Sequence, residues 1–146
     1  MAAEYSYVPV QTAIAEGDNI LFLDGDRACR KGFISHRSSS GIFRLKGASN
    51  GCKAIYRVTF NANVAVSAGE TVPADGISVA LQEDGETIGN ALATVTPVAV
   101  GDFWSVSFST FIIIPCGCCV TVSVENVSDG TSIDIRNANI IFDRVA

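Results

Sequence analysis

An alternation of apolar and polar residues with a period of two is the feature that most constrains the fold of this chain. Successive side chains of a β-strand point to opposite faces, so such a run predicts a strand with one buried face. The longest run places these side chains on one face: Tyr56, Val58, Phe60, Ala62, Val64 and Val66. Helical periodicity is almost absent, and the chain is therefore predicted to be all-β.

Turn signals between the other alternating runs predict an antiparallel sandwich. The run from Ile77 to Gln82 leads into Asp84-Gly85, a dipeptide that suits the positive φ angles of a tight hairpin turn. Such signals recur about every ten residues, as in β-sandwiches and barrels. The other predicted strands are 19–23, 32–36, 41–45, one starting at Thr87, 104–109, 118–125 and 132–145, with early turns at Asp24-Gly25-Asp26 and Ser38-Ser39-Ser40.

The composition indicates one folded domain. At 146 residues the chain has the size of a single domain. Disordered chains have low hydrophobicity and high charge, whereas 48% of these residues are hydrophobic and only 17% are charged. We expect one domain over residues 1–146. Residues 1–17 are predicted to form an N-terminal arm or an edge strand, because Tyr5 and Tyr7 share a face when extended and Pro9 suits a sheet edge.

Charge and hydropathy argue against nucleic acid and membranes as partners. The formal net charge is -5 and no cluster of Lys and Arg is present, so phosphate backbones would be repelled. The longest apolar run, from Phe111 to Val120, is broken by Pro115 and Gly117 and has about half the length of a membrane-spanning helix. The N-terminal residues show no basic segment followed by an apolar one, so we expect synthesis in a cytoplasm.

The five cysteines are an odd number, so they cannot all pair within one chain. In a reducing compartment all five are expected to be reduced. Cys116, Cys118 and Cys119 could offer thiolates to a soft metal, with Cys29 or Cys52 as a fourth ligand. The spacing matches no zinc finger, and neighbouring residues of a strand point to opposite faces, so no metal site is expected. A disulfide between Cys52 and one of the adjacent pair is the alternative.

Candidate groups for catalysis or calcium binding are few. His36 is the only histidine and is predicted to lie in a solvated loop. No Gly-x-Ser-x-Gly elbow, phosphate-binding loop or zinc-binding His pair is present, so neither an enzyme nor a cofactor is expected. Carboxylates at two turns could bind calcium, but short acidic turns are usually only solvated; these carboxylates are Asp24, Asp26, Asp84 and Glu86.

The order of several segments resembles the tumour-necrosis-factor-like jelly roll, whose members include the globular heads of complement and collagen-like proteins. The segments are GIFRLKG, IYRVTFNANVAV, ISVALQEDGETI, FIIIPCGCCVTVSVEN and IRNANIIFDRVA, which together span residues 41–146. Cys52, the TFNANVAV segment, the Cys118-Cys119 pair and the closing RNANIIFDRVA further resemble short structural proteins of phages and prophages of gut Firmicutes. Similar modules cap bacterial collagen-like proteins, although this sequence contains no Gly-X-Y stalk.

This resemblance implies a homotrimeric jelly roll with a structural role. The expected function is a non-enzymatic phage virion protein, either a capsid decoration protein or the globular domain of a head fibre, bound to the major capsid protein or another virion protein. The alternative is a receptor- or carbohydrate-binding tip of a tail fibre or of a bacterial collagen-like surface protein. Aromatic residues are expected either in the core or in the trimer interface: Tyr56, Phe60, Phe103, Trp104 and Phe108.

Overall fold

The computed structural model describes residues 2–48 and 53–146, except for the side chains of residues 24–28 and 90. The described residues contain no helix, so none is present that could span a membrane. The strands are β1 (Ala3–Ile14), β2 (Leu23–Cys29), β3 (Ile34–His36), β4 (Phe43–Lys46), β5 (Ala54–Val66), β6 (Ile77–Glu83), β7 (Glu86–Val95), β8 (Trp104–Ile114), β9 (Cys119–Asn126) and β10 (Ile133–Arg144). The predicted all-β class is confirmed.

The strands form two five-stranded antiparallel sheets that face each other. Sheet A has the order β2-β1-β10-β5-β8, and sheet B has the order β3-β4-β9-β6-β7. Most neighbours are not consecutive in the sequence, because the chain crosses repeatedly from one sheet to the other. The predicted antiparallel sandwich is therefore confirmed, and each sheet has one face on the core and one face outward.

Strand β5 lies between β10 and β8 in sheet A and carries the longest buried face. Its pairing with β8 is unbroken from Ala54 opposite Ile114 to Val64 opposite Trp104. The six side chains that the alternation assigned to one face are all buried. Their partners in the core include Phe22, whose ring meets that of Phe60 edge-on with centroids 6.3 Å apart.

Tyr56 connects the two sheets through its hydroxyl group. The side chain is buried, and its hydroxyl donates a hydrogen bond to the carbonyl oxygen of Lys46 at 2.6 Å. Burial raises the pKa of the Tyr56 phenol, an effect that the nearby Arg144 guanidinium opposes. The phenol is therefore a proton donor at neutral pH and satisfies its polar group inside an apolar core.

The predicted hairpin between β6 and β7 is confirmed. Asp84 and Gly85 have φ angles of 51° and 88°, the positive pair that a type I′ turn requires. The Asp84 carboxylate accepts hydrogen bonds from the backbone N–H and the hydroxyl of Thr121, at 2.9 and 3.1 Å. This carboxylate therefore joins the hairpin to β9.

The predicted turn at Asp24-Gly25-Asp26 is wrong, because these residues belong to β2. The pairing of β2 with β1 shifts between Tyr5, opposite Arg27, and Ser6, opposite Asp24. A bulge in the strand therefore accommodates residues whose types usually mark a turn.

Strand β1 is not a detached arm. Its residues pair with β10 along most of their length and with β2 from Ala3 to Tyr7. It is an edge strand only beyond Tyr7, where the pairing with β2 has ended. Pro9 lies in that second part, where the absence of a backbone N–H removes no bond to β2.

The solvated-loop prediction for His36 is also wrong. His36 ends β3 and is buried, with its ring stacked on that of Phe43 at a centroid distance of 4.1 Å. Its Nε2 lies 2.8 Å from the carbonyl oxygen of Ser40. The serine turn that follows folds β3 back on β4, and His36 is thereby brought opposite Phe43.

Asn126 joins the end of β9 to two neighbouring segments. It is fully buried; its amide nitrogen donates to the carbonyl oxygens of Ile14 and Thr131, and its oxygen accepts from the N–H of Ser128. Asn126→Ala would leave these backbone groups without their partner, so we expect a loss of about 2 to 4 kcal/mol in the free energy of unfolding. Urea denaturation measures this loss. Asn61→Ala is the control, because Asn61 is exposed, and an equal loss in both variants would contradict the assigned role.

Candidate assembly interface

Strand β8 forms one edge of sheet A, opposite the edge formed by β2, and its other side pairs with β5. No Asp, Glu, Lys or Arg occurs from Phe103 to Val124, so the whole of β8 is uncharged. The strand has no proline, and its pairing with β5 shows no bulge. Folded proteins usually protect a long edge strand by charge, proline or a bulge, and β8 has none of these. An edge of this kind is suited to contact with another chain.

Large apolar side chains lie on the outer face of sheet A beside this edge. Phe111 and Ile113 are 59% and 55% exposed, and Ile141 on β10 is 38% exposed. Ile113 pairs with Ile55, which is half-buried on the same outer face. We call these four residues the assembly surface. An exposed ion pair between Arg57 and Asp143, with 2.8 Å between Nη2 and Oδ2, lies among them.

Small polar side chains continue this face toward the other end of β8. Ser109 lies opposite Thr59, with 3.3 Å between their hydroxyl oxygens. Ser105 donates a hydrogen bond to Asn63 Oδ1 at 2.9 Å. Short side chains leave the sheet open to close approach by another chain, while the hydroxyl and amide groups can exchange hydrogen bonds with it.

A second apolar patch lies in and beside the connection from β7 to β8. Val98 is 84% exposed, and Val100 and Trp104 are also exposed. The connection is anchored where the N–H of Gly101 donates to the carbonyl oxygen of Val66 at 3.1 Å. We call Val98, Val100 and Trp104 the loop patch. A closed ring of identical chains requires two different complementary surfaces on each chain.

The aromatic residues expected in the core or in an interface separate into two groups. Tyr56, Phe60 and Phe108 are buried within the sandwich. Phe103 is half-buried beneath the guanidinium of Arg136, 4.2 Å from its ring centroid, and Trp104 is exposed. The structure therefore brings Phe103 and Trp104 to the surface and holds the other three inside.

Sequence reasoning missed Ile113 and Ile141 as surface residues. Both lie in apolar runs whose alternation is hidden, because buried and exposed positions are equally hydrophobic. In β8, Ile112 and Ile114 are buried while Ile113 between them is exposed. Counting residues from the start of β8, where the alternation is clear, would have placed Ile113 on the outer face of the sheet.

The cysteines and acidic turns form no cluster suited to a metal in the described part of the chain. Cys29, Cys116, Cys118 and Cys119 are exposed. Cys118 lies in the turn before β9, so the strand alternation starts one residue later than predicted. The proposed Cys52 bridge lies outside the described residues, as do the side chains of Asp24 and Asp26, while Glu86 is exposed on the hairpin.

An ion pair with a buried carboxylate, which the sequence did not signal, ties β1 to the segment after β2. Glu4 is buried, and its carboxylate accepts hydrogen bonds from Arg30 Nε at 2.6 Å and Arg30 Nη2 at 2.9 Å. Ser6 Oγ donates to the same carboxylate at 2.8 Å. Both carboxylate oxygens of Glu4 therefore have donors within the chain, which indicates a structural role.

Comparisons with known proteins identify the fold. No family model and no curated protein matches the sequence. Among solved structures, the globular domain of zebrafish complement 1qA has a TM-score of 0.68 at 12% identity, over 100% of this chain and 98% of that one. The Eiger TNF of S. frugiperda gives 0.65 at 9% identity, over 100% and 94%. Murine APRIL at pH 5.0 gives 0.62 at 11% identity, over 97% and 98%. The chain therefore has the tumour-necrosis-factor-like jelly-roll fold.

Proposed function

We propose that this chain is a non-enzymatic structural protein that works as a homotrimer. The observation that carries the proposal is the uncharged, unprotected edge strand β8 with Phe111 and Ile113 exposed beside it. An edge of this kind on a monomer would promote uncontrolled association. In a closed symmetric trimer, one neighbouring subunit covers each β8 edge, and no further chain can add.

The trimer forms by contact between two different surfaces. The assembly surface of one subunit packs against the β8 edge and loop patch of the next, and three such contacts close the ring. Burying one Phe or Ile side chain contributes about 1.5 to 3 kcal/mol. Two or three such side chains at each contact therefore offset a substantial part of the cost of association, which is estimated at about 4 to 15 kcal/mol.

Within this class, the role we propose is that of a phage virion protein, either a capsid decoration protein or the globular domain of a head fibre. The resemblance of the TFNANVAV and RNANIIFDRVA segments to phage and prophage proteins supports it. The protein would be made in the host cytoplasm and bind the major capsid protein or another virion protein at the capsid surface. The net charge of -5 agrees with a partner other than the packaged nucleic acid.

The second candidate is a receptor- or carbohydrate-binding tip of a tail fibre or of a bacterial collagen-like surface protein. A groove lined by two half-buried tyrosines on sheet A favours it. The number of copies per particle separates the two roles. A decoration protein would occur at a stoichiometry near that of the major capsid protein, whereas a tip would occur in a few copies.

Multi-angle light scattering at micromolar concentration tests the assembly. We expect the mass of three chains of 15.3 kDa each. A stable monomer at this concentration would contradict the trimer and remove the main support for a decoration role. A dimer would require an interface of a different symmetry.

A further inference from the structure

An open groove lies on the outer face of sheet A where β1 runs beside β10. It has a volume of about 270 Å³, and Tyr5, Tyr7, Pro9, Asn137 and Asn139 contribute to its lining. This volume is just below the roughly 300 to 1,000 Å³ of sites for drug-sized ligands. The groove therefore suits a single small ring.

The groove exists because β10 has one extra residue at this point. Arg136 lies opposite Asn63 and Asn139 lies opposite Asn61. Strand β10 therefore advances by three residues over the length in which β5 advances by two. Asn137 takes up the difference with a φ angle of 52°, in the left-handed region that Asn tolerates. The bulge leaves Asn137 and Asn139 on the surface of the sheet while Ala138 between them is buried.

The polar groups around the groove are available to a ligand. Among the described side chains, which exclude those of residues 24–28 and 90, neither the hydroxyls of Tyr5 and Tyr7 nor the amide of Asn137 takes part in a hydrogen bond. The oxygen of Asn139 accepts a bond from Asn61 Nδ2 at 3.4 Å, which leaves its own amide nitrogen as a donor. Phenol and amide groups can both donate and accept.

The tyrosine rings supply an apolar wall. Tyr5 and Tyr7 stack with centroids 6.3 Å apart and planes inclined by 28°. Both side chains are half-buried, so they are held by the sheet and still present part of each ring. A rigid aromatic ring beside groups that donate and accept hydrogen bonds suits a ligand with an apolar face and several hydroxyls.

From this geometry we infer that the groove binds a neutral pyranose ring of a carbohydrate. Among the side chains that the structure describes, none that lines the groove is charged, so these residues offer no counter-charge for an ionic ligand. The C–H face of the sugar lies on the Tyr7 ring, and its hydroxyls exchange hydrogen bonds with Asn137, Asn139 and the phenols. Tyr5 lies opposite Ile141 of the assembly surface, whereas Pro9 and Asn137 lie farther along the same two strands, so the sugar is placed toward that end of the groove.

Saturation-transfer NMR on the full chain, with methyl pyranosides of glucose, galactose, mannose, rhamnose and N-acetylglucosamine as probes, tests this site. We expect a saturable signal with at least one of them. Tyr7→Ala should abolish it, and Asn137→Gly, which keeps the left-handed backbone, should weaken binding about 3- to 10-fold. Thr94→Ala on the outer face of sheet B is the control and should leave binding unchanged, since Thr94 lies on the other sheet.

Several results would overturn the inference. They are the absence of a signal with all five sugars, a signal that survives both Tyr7→Ala and Asn137→Gly, and selective binding of a proline-rich peptide at the groove. Loss of the trimer in Tyr7→Ala, measured by light scattering, would also overturn it, because the groove would then be covered by another copy. Sugar binding by a monomer would contradict the proposed assembly and leave this site intact, so the two failures are distinguishable.

Discussion

Replacing Phe60 by alanine is expected to lower the free energy of unfolding by about 3 to 5 kcal/mol. The side chain is fully buried, and its ring stacks on Phe108 with centroids 5.1 Å apart and meets Phe22 edge-on. Truncation removes these contacts and leaves a cavity between the two sheets. A typical domain has only about 5 to 15 kcal/mol of stability, so the variant should lose a large share of it.

Thr59→Ala is the matched control for this prediction. Thr59 is the preceding residue on β5, on the outer face, with its hydroxyl 3.3 Å from that of Ser109. We expect a loss of about 0.5 to 1.5 kcal/mol. Urea denaturation at one fixed protein concentration measures both variants, since the stability of an oligomer depends on concentration. Equal effects would contradict the assignment of Phe60 to the packed core.

Ile113→Asp should convert the trimer to a folded monomer. Ile113 is exposed in the single chain, so the change should leave the sandwich intact. In the trimer it places a carboxylate in an apolar contact, where desolvation costs several kcal/mol per ion. A loss of about 3 kcal/mol per contact corresponds to an apparent dissociation constant raised more than roughly 100-fold. Light scattering over a dilution series measures this shift.

Ile42→Asp is the control for assembly. Ile42 has a similar exposure of 50% but lies just before β4, at the far side of sheet B from β8. We expect this variant to remain trimeric. A trimer in both variants would show that the assembly surface is misplaced, and far-UV circular dichroism would reveal any monomer that has merely unfolded.

Much of the sandwich could be predicted from residue alternation. The inward face of β5 and the hairpin at Asp84-Gly85 both follow from local rules, because side-chain direction in a strand and φ preference in a turn depend on near neighbours. The same rules failed at Asp24-Gly25-Asp26. There the pairing with β1 holds turn-forming residues in an extended strand, and that partner is distant in the sequence.

The candidate sites depend more strongly on distant contacts. Trp104 and Phe108 lie four residues apart in β8, so the alternation assigns them to the same face. Only Phe108 is buried, because Trp104 starts the strand at the rim of the sandwich. The groove requires a bulge in β10 next to β1, two strands more than a hundred residues apart in the sequence. A local pattern carries no information on such an encounter.

Three features follow from the amino-acid sequence alone: the strand-rich class, the inward face of the long strand and the absence of charge along β8. Each depends only on the order and type of neighbouring residues. The folded structure was needed to show that β8 forms an edge of its sheet, that the buried Glu4 carboxylate meets Arg30 and that His36 stacks on Phe43. These outcomes depend on which strand becomes the neighbour of which. That choice is made by the packing of two whole sheets against each other and not by any single segment.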